Sequence, residues 1–229
     1  MNSCKAHMKR ISWRYTMEKK SFEVFLPKNP RIKMRVIPGH FTTSRSHITH
    51  YLDLSELKSN AYVSRDVAKE LAIPYLSTNL VETIVCLERT AVIGAYLAEE
   101  LFQAGISIMN TGGEIIVCTP ISNNLGALSF HSSMIPRISN RNILLLTATI
   151  SSGRSLDSAL DCLAYYGSRV VGVSSLFTMP QAQAEHNINT LFTSDDIPGY
   201  TVYRARNCEM CKAGLKLDAL ISNEGYTRI

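Results

Sequence analysis

The sequence predicts an α/β fold with a mainly parallel central sheet flanked by helices, and three observations carry that prediction. Short apolar runs bounded by turn residues recur at 82–87, 143–146 and 169–174, the pattern of strands buried on both faces. Between them lie residues at helical spacing, such as Leu156, Ala159, Leu160, Leu163 and Ala164, an apolar stripe suited to packing on a sheet. Strand and helix signals alternate along 229 residues, which points to βαβ crossovers.

Composition narrows the class. Hydrophobic residues make up 45% and charged residues 19% of the chain, ordinary values for a globular protein. No apolar run approaches the roughly 18 residues that span a membrane, and no signal-peptide pattern opens the chain, so a cytoplasmic protein without membrane contact is expected. Through Arg35 the chain carries 10 Lys+Arg against 2 Asp+Glu, and the remainder 14 against 17. The basicity therefore belongs to an N-terminal arm, read as a solvated tail, with no groove-binding motif for nucleic acid. Of the six cysteines, Cys86, Cys118 and Cys162 lie in apolar segments and Cys4 in the arm; Cys208 and Cys211 alone have metal or redox spacing. A structural zinc needs four ligands and no second such pair exists, so no metal site is expected within one chain, and zinc shared across a dimer is the lesser alternative.

Taken in order, residues 23–26 and 35–37 read as short strands separated by the breakers Pro27 and Pro30 and closed by Pro38. Residues 39–53 are rich in His and hydroxyls and read as a loop entering a strand at Tyr51. His47 and His50 would share a face only if that stretch were helical, and no suitably spaced carboxylate supports a metal there. Asn60 caps a helix running to Ala72, the run at 82–87 is a buried strand, and residues 91–101 form a helix ended by Gly105. Short strands at 106–109 and 114–118 flank a Gly112-Gly113 turn, and a long polar loop fills 119–142. The apolar run Ile143 to Leu146 then leads through Ser151-Ser152-Gly153 into a helix from Ser155 to its stop at Gly167. Further strands are expected at 169–174 and 190–193.

The junction at 151–155 is where chemistry is expected. A strand, a small-residue turn and a helix N-terminus in succession direct free N–H groups and the positive end of the helix dipole to one point, which suits a phosphate. Many crossovers carry such a turn and bind nothing, so the loop alone leaves both readings open. Ligands of parallel sheets sit beyond the carboxyl ends of the strands, which gathers residues 87–90, 119–136 and 147–155 around one crevice.

These segments resemble the type I phosphoribosyltransferases, and within them the orotate phosphoribosyltransferases. The likeness covers residues 38–226 and leaves the arm of residues 1–35, with the first strands, apart from a domain of residues 36–229. It rests on residues 143–155, on Pro38-Gly39-His40-Phe41 with Tyr51-Leu52-Asp53, on residues 82–94, and on Cys208-Glu209-Met210-Cys211-Lys212-Ala213-Gly214. The resemblance implies a small hood from the N- and C-terminal segments, a homodimer, and Mg²⁺-dependent transfer of phosphoribosyl from phosphoribosyl diphosphate (PRPP) to a pyrimidine base, orotate, in nucleotide synthesis. Ser151, Ser152, Gly153, Arg154 and Ser155 would hold the 5′-phosphate, and Glu88, Arg89 and Thr90 the pyrophosphate. Thr147, His131 and Arg137 are the candidate catalytic residues.

Two departures bear on activity. The family's adjacent acidic residues, which hold the ribose hydroxyls, are replaced by Thr147 and Ala148. No lysine lies between Lys69 and Lys212, whereas the resemblance calls for loop lysines facing pyrophosphate. Arg89, Arg137, Arg141 and Arg154 are the cations left for that duty. A module that binds a nucleotide or phosphosugar without turnover is therefore the alternative to an enzyme.

Overall fold

The computed structural model describes residues 20–44, 46–77, 80–103, 114–123, 127–222 and 225–229. The chain divides into two compact units, Met1–Leu54 with Asp195–Ile229, and Ser55–Ser194. The boundary expected after Arg35 is not where the chain divides: Arg35 lies in mid-strand, paired with Glu23 on one side and Asp53 on the other.

The smaller unit begins with an antiparallel run of β1 (Phe22–Leu26), β2 (Asn29–Thr42) and β3 (Ser46–Asp53). β2 passes through both Pro30 and Pro38, which were expected to break it. Proline is tolerated where the ladder does not require its missing N–H; Pro30 is the second residue of the strand, and Pro38 stands at the shift in register between Pro38 and Phe41. Residues 39–50, expected as a loop, are mostly strand. Their polar composition hides two buried apolar residues, Phe41 and Ile48, that face a common core. The hydroxyls close the hairpin instead, with Ser46 N donating to Thr43 Oγ1 at 2.9 Å.

The larger unit follows. After α1 (Ser55–Ser59), α2 (Ala61–Ala72) starts at the expected cap, where the Asn60 side chain accepts from Tyr62 N at 3.1 Å. Next come β4 (Thr83–Cys86), α3 (Ala91–Gln103), β5 (Ile116–Cys118) and the small hairpin of β6 (Ile121–Ser122) and β7 (Leu128–Ser129). Then follow α4 (Ile135–Ile138), β8 (Asn142–Ile150), α5 (Arg154–Tyr165), β9 (Arg169–Thr178), α6 (Pro180–His186) and β10 (Asn189–Thr193). The polar stretch 119–142 thus holds a hairpin and a helical turn. The elements expected at 106–109 and the turn at Gly112-Gly113 lie outside the described residues.

The sheet of this unit has the order β10-β9-β8-β4-β5 and every pairing in it is parallel. β8 is central, and Ile143, Leu144, Leu145 and Leu146 are all fully buried. Ile143 and Leu145 pack with Leu156, Ala159 and Leu163 of α5, as the stripe predicted. Burial of this kind is worth about 1.5–3 kcal/mol per large side chain. On the opposite pleat α3 approaches β4 so closely that a Cβ on Gly94 would stand 2.3 Å from Cys86 Sγ.

The chain then returns to the first unit with β11 (Val202–Arg204), α7 (Glu209–Lys212), β12 (Ala219–Ser222) and β13 (Gly225–Arg228). Its sheet runs β11-β3-β2-β12-β13, with β1 also on β2. The unit expected from the two terminal segments is thus a six-stranded sheet. Among the described residues no helix is long and apolar enough to cross a membrane.

Candidate functional site

β8 continues past its apolar core to Ile150, so Thr147 and Ala148 are buried strand residues, not members of the turn. The chain then bends through Ser151 and Ser152, both exposed. Gly153 takes φ = 75° and caps α5, whose first turn closes with Asp157 N donating to Gly153 O at 2.8 Å. That left-handed conformation is nearly free for glycine and costs other residues about 1–2 kcal/mol. Among the described residues, nothing accepts a hydrogen bond from the main-chain amides of residues 151–155. Arg154 and Ser155 are also exposed. The turn is therefore exposed and positively polarised, and its amides have no protein acceptor among the described residues, which leaves them available to an anion.

The loop after β4 stands beside it, because Cys86 pairs with Leu146 in the parallel ladder. Leu87 N donates to Leu146 O at 2.8 Å, and the Thr90 hydroxyl donates to Leu87 O at 2.8 Å and Leu146 O at 3.3 Å. Between these ties Glu88 and Arg89 have φ of 50° and 64°. Two consecutive side-chain-bearing residues in this region store about 1–3 kcal/mol each, strain that concentrates at ligand-binding turns. The conformation turns the Glu88 carboxylate back onto β8. Its Oε2 accepts from the Thr147 hydroxyl at 3.2 Å, the Thr149 amide at 2.7 Å and the Thr149 hydroxyl at 3.1 Å. Among the described residues Oε1 accepts nothing. Lys58 Nζ lies 3.4 Å from Glu88 O on the same loop.

Of the residues expected at a site, Glu88 and Thr90 bond to residues 146–149 of β8, and residues 151–155 follow directly at the same end of that strand. Sequence reasoning did not foresee that Glu88 would reach Thr147 and Thr149. The left-handed turn that aims it has no glycine to announce it.

Arg137 and His131 are placed elsewhere. Arg137 pairs with Glu114 at 2.8 Å, and the Thr83 hydroxyl donates to its carbonyl at 2.6 Å. Arg141 pairs with Glu82 at 2.6 Å. Thr83 opens β4, and Glu114 precedes β5, so both arginines belong to the amino ends of parallel strands, opposite the 151–155 turn. They line a hollow of about 220 Å³ there with Leu80, Val81 and Ile116. The spacing could not show this, because α4 carries the chain back across the sheet before β8 starts. The His131 ring meets Ser133 Oγ at 2.9 Å within its own turn, and among the described residues no contact joins it to residues 147–155.

One histidine was missed. His186, at the end of α6, brings Nε2 to 3.5 Å from Asp157 Oδ1 and lies 3.8 Å from where a Cβ on Gly153 would stand. The signal available was Pro180 at a helix start, which places α6 directly after β9. Cys86, in contrast, is no nucleophile: burial, reinforced by Cys118, pushes its thiol up to about 12.

The arrangement matches known structures at the level of fold. No protein-family model matches the sequence, and no curated protein matches it by sequence. UMP synthase from Leishmania donovani superposes with a TM-score of 0.53 at 17% identity, over 79% of this chain and 36% of that one. The chain therefore spans about a third of that protein's length. A phosphoribosyltransferase from Corynebacterium diphtheriae gives 0.49 at 14% identity, over 70% of this chain and 90% of that one. Orotate phosphoribosyltransferase from Mycobacterium tuberculosis also gives 0.49 at 14%, over 71% and 91%. The chain has a type I phosphoribosyltransferase-like fold.

Proposed function

We propose that this protein binds a phosphoribosyl ligand at the 151–155 turn and transfers the phosphoribosyl group from PRPP to a pyrimidine base, orotate being the acceptor that the resemblance supplies. The observation that carries the reading is the exposed turn at the carboxyl end of β8, its amides without a protein acceptor among the described residues, beside the left-handed Glu88-Arg89 loop. Main-chain amides of residues 151–155 and the hydroxyls of Ser151, Ser152 and Ser155 take the 5′-phosphate, with the Arg154 guanidinium adding charge. Glu88 Oε1 takes a ribose hydroxyl, doing in part what the missing acidic pair would do. The loop 88–90 faces the diphosphate. Charge developing at the sugar and leaving group is stabilised by groups already fixed in place, so catalysis is positional and electrostatic.

Magnesium enters this reading as the diphosphate's companion ion. Mg²⁺ keeps several waters and is held by one or two carboxylates plus substrate phosphates; with Glu88 Oε1 on the ribose, the ion would rest on diphosphate oxygens and water. The ion neutralises diphosphate charge when bound. A homodimer belongs to the proposal on resemblance alone.

A second reading has its own support. Ala148 offers no polar atom, and Arg137 and Arg141 are spent at the other end of the strands, leaving few cations for pyrophosphate. On this reading the site holds a nucleotide or phosphosugar as a sensor. Calorimetric titration with PRPP, orotidine monophosphate and inorganic phosphate, with and without Mg²⁺, is paired with a pyrophosphate-release assay containing orotate. Saturable binding with orotate-dependent release establishes the transferase; saturable binding without release establishes the sensor. Absence of binding at millimolar ligand removes both.

A further inference from the structure

His40, His47, Cys208 and Cys211 converge in the smaller unit, their ligand atoms all within 4.8 Å of one another. We propose that His40 Nε2, His47 Nδ1, Cys208 Sγ and Cys211 Sγ hold one Zn²⁺ ion in a structural site that clamps the two ends of the chain together.

Four of the six ligand-to-ligand distances lie close to the edges of a tetrahedron around zinc, and all six are within 4.8 Å. His40 Nε2 lies 3.1 Å from His47 Nδ1, 3.4 Å from Cys208 Sγ and 3.6 Å from Cys211 Sγ, and Cys211 Sγ lies 3.2 Å from His47 Nδ1. Zn–N bonds near 2.05 Å and Zn–S bonds near 2.3 Å give tetrahedral edges of about 3.3 Å for N···N and about 3.6 Å for N···S. Two thiolates with two imidazoles in that shape select zinc over the harder magnesium and calcium. Four protein ligands leave no open position, which marks a structural ion, not a catalytic one.

The surroundings fit a ligand shell. His40 Nδ1 lies 3.1 Å from Leu215 O, so an Nδ1–H donated to that carbonyl fixes the ring and leaves Nε2 with its lone pair. His40 is further held by its backbone, with His40 N donating to Asp218 Oδ2 at 2.7 Å and Asp218 N donating to His40 O at 2.8 Å. His47 sits one strand over, at the pairing of Thr42 with His47. Cys208 precedes α7 and Cys211 lies within it, so the short helix turns both sulfurs to one side. Three of the ligands are buried and Cys211 is exposed, giving the ion a route in from solvent. Neither cysteine is in a disulfide.

The fold explains why an ion is useful here. The buried apolar residues Ile37, Phe41, Ile48 and Ala219 join these strands, with Tyr51, Val202, Ile221 and Tyr226 packed against them. Among the described residues β12 joins β2 through two residue pairs, Ala219 with Phe41 and Leu220 with Thr42. Small units are commonly reinforced by a disulfide or a metal. Closing a contact between residues 164 apart supplies such a constraint between the two ends of the chain. His50 has no part in it. Three residues along a strand from His47 it points to the other face, where it stacks on Tyr200 and meets the Thr49 hydroxyl at 2.8 Å.

The test is metal analysis of the full chain purified without chelator. The expected result is about one zinc per chain, released in step with titration of two thiols by a mercurial reagent. Cobalt substitution should give tetrahedral d–d bands with thiolate-to-cobalt charge transfer. C208S and H47A should each retain less than roughly a tenth of that zinc, and C162S, outside the cluster, should retain all of it. Should those variants fail to fold, the wild-type chain decides: chelator should lower its Tm, and Zn²⁺, not Mg²⁺, should restore it. A folded wild-type chain that stays free of zinc after exposure to the ion overturns the proposal, as does recovery of Cys208 and Cys211 as a disulfide. The phosphate turn lies in the other unit, so loss of ligand binding with zinc intact leaves this inference standing, and the reverse holds equally.

Discussion

Glu88 holds Thr147 across the mouth of the parallel sheet, its Oε2 accepting the Thr147 hydroxyl at 3.2 Å while also taking the amide and hydroxyl of Thr149. A carboxylate thus stands where the strand itself supplies none. It comes from the loop after β4, not from β8, and only two left-handed residues make that reach possible.

Glu88→Gln should therefore weaken binding of PRPP and orotidine monophosphate by about 10- to 100-fold, the worth of one or two charge-assisted hydrogen bonds. Inorganic phosphate, which touches only the 151–155 turn, should bind as before. Calorimetry on the three ligands decides it. Equal losses for all three would show that Glu88 merely supports the loop.

Placing an acidic residue in β8 by Thr147→Asp should not strengthen the site. It would replace a hydroxyl donor at 3.2 Å with a second carboxylate in a buried position, and two such groups cannot both ionise cheaply. The variant should lose about 1–3 kcal/mol at neutral pH, and part of that loss should return on acidification as one carboxyl takes up a proton. Urea midpoints at two pH values test this; a variant as stable as wild type at neutral pH contradicts it.

Gly153→Val should abolish phosphate binding while the chain stays folded. The backbone φ of 75° is costly for a β-branched residue, and the side chain would cover the amides. Arg137→Gln is the matched control: Arg137 is engaged with Glu114 at the amino ends of the strands, so ligand affinity should not change. Circular dichroism with phosphate titration measures both.

Gly94→Ala should destabilise by about 1–3 kcal/mol through overpacking, since the new Cβ would stand 2.3 Å from Cys86 Sγ. Cys86→Ala should recover much of that loss when combined with it. Additive denaturant shifts in the double variant would mean that α3 and β4 relax independently.

Acid should act partly through Glu82. Burial pushes its carboxyl up, but hydrogen bonds from the Asn142 amide and side chain and from Arg141 prevail and hold it below its ordinary value. A depressed folded pKa means that this contribution is present above the ordinary carboxyl range and is lost as pH falls through the folded value. Urea midpoints followed from about pH 6 to pH 3 should fall less steeply for Glu82→Gln than for wild type. Superimposable curves would remove Glu82 from the acid response.

The sequence by itself determined the centre of the larger unit. Ile143 to Leu146 had to be a strand buried on both faces, the stripe from Leu156 to Ala164 had to lie on it, and the turn at 151–153 between them had to present amides. These are local consequences of periodicity and turn chemistry, legible within some twenty residues. The long strand β2 was misjudged because proline reads as a breaker unless the pairing partners are known. Only the tertiary structure decided which distant groups meet. It moved Arg137 to the far end of the sheet, brought Glu88 to Thr147, and set His40 and His47 against Cys208 and Cys211. Spacing along the chain carries no record of such meetings: they are fixed by how strands pair and how crossovers return, and so by packing of the whole chain.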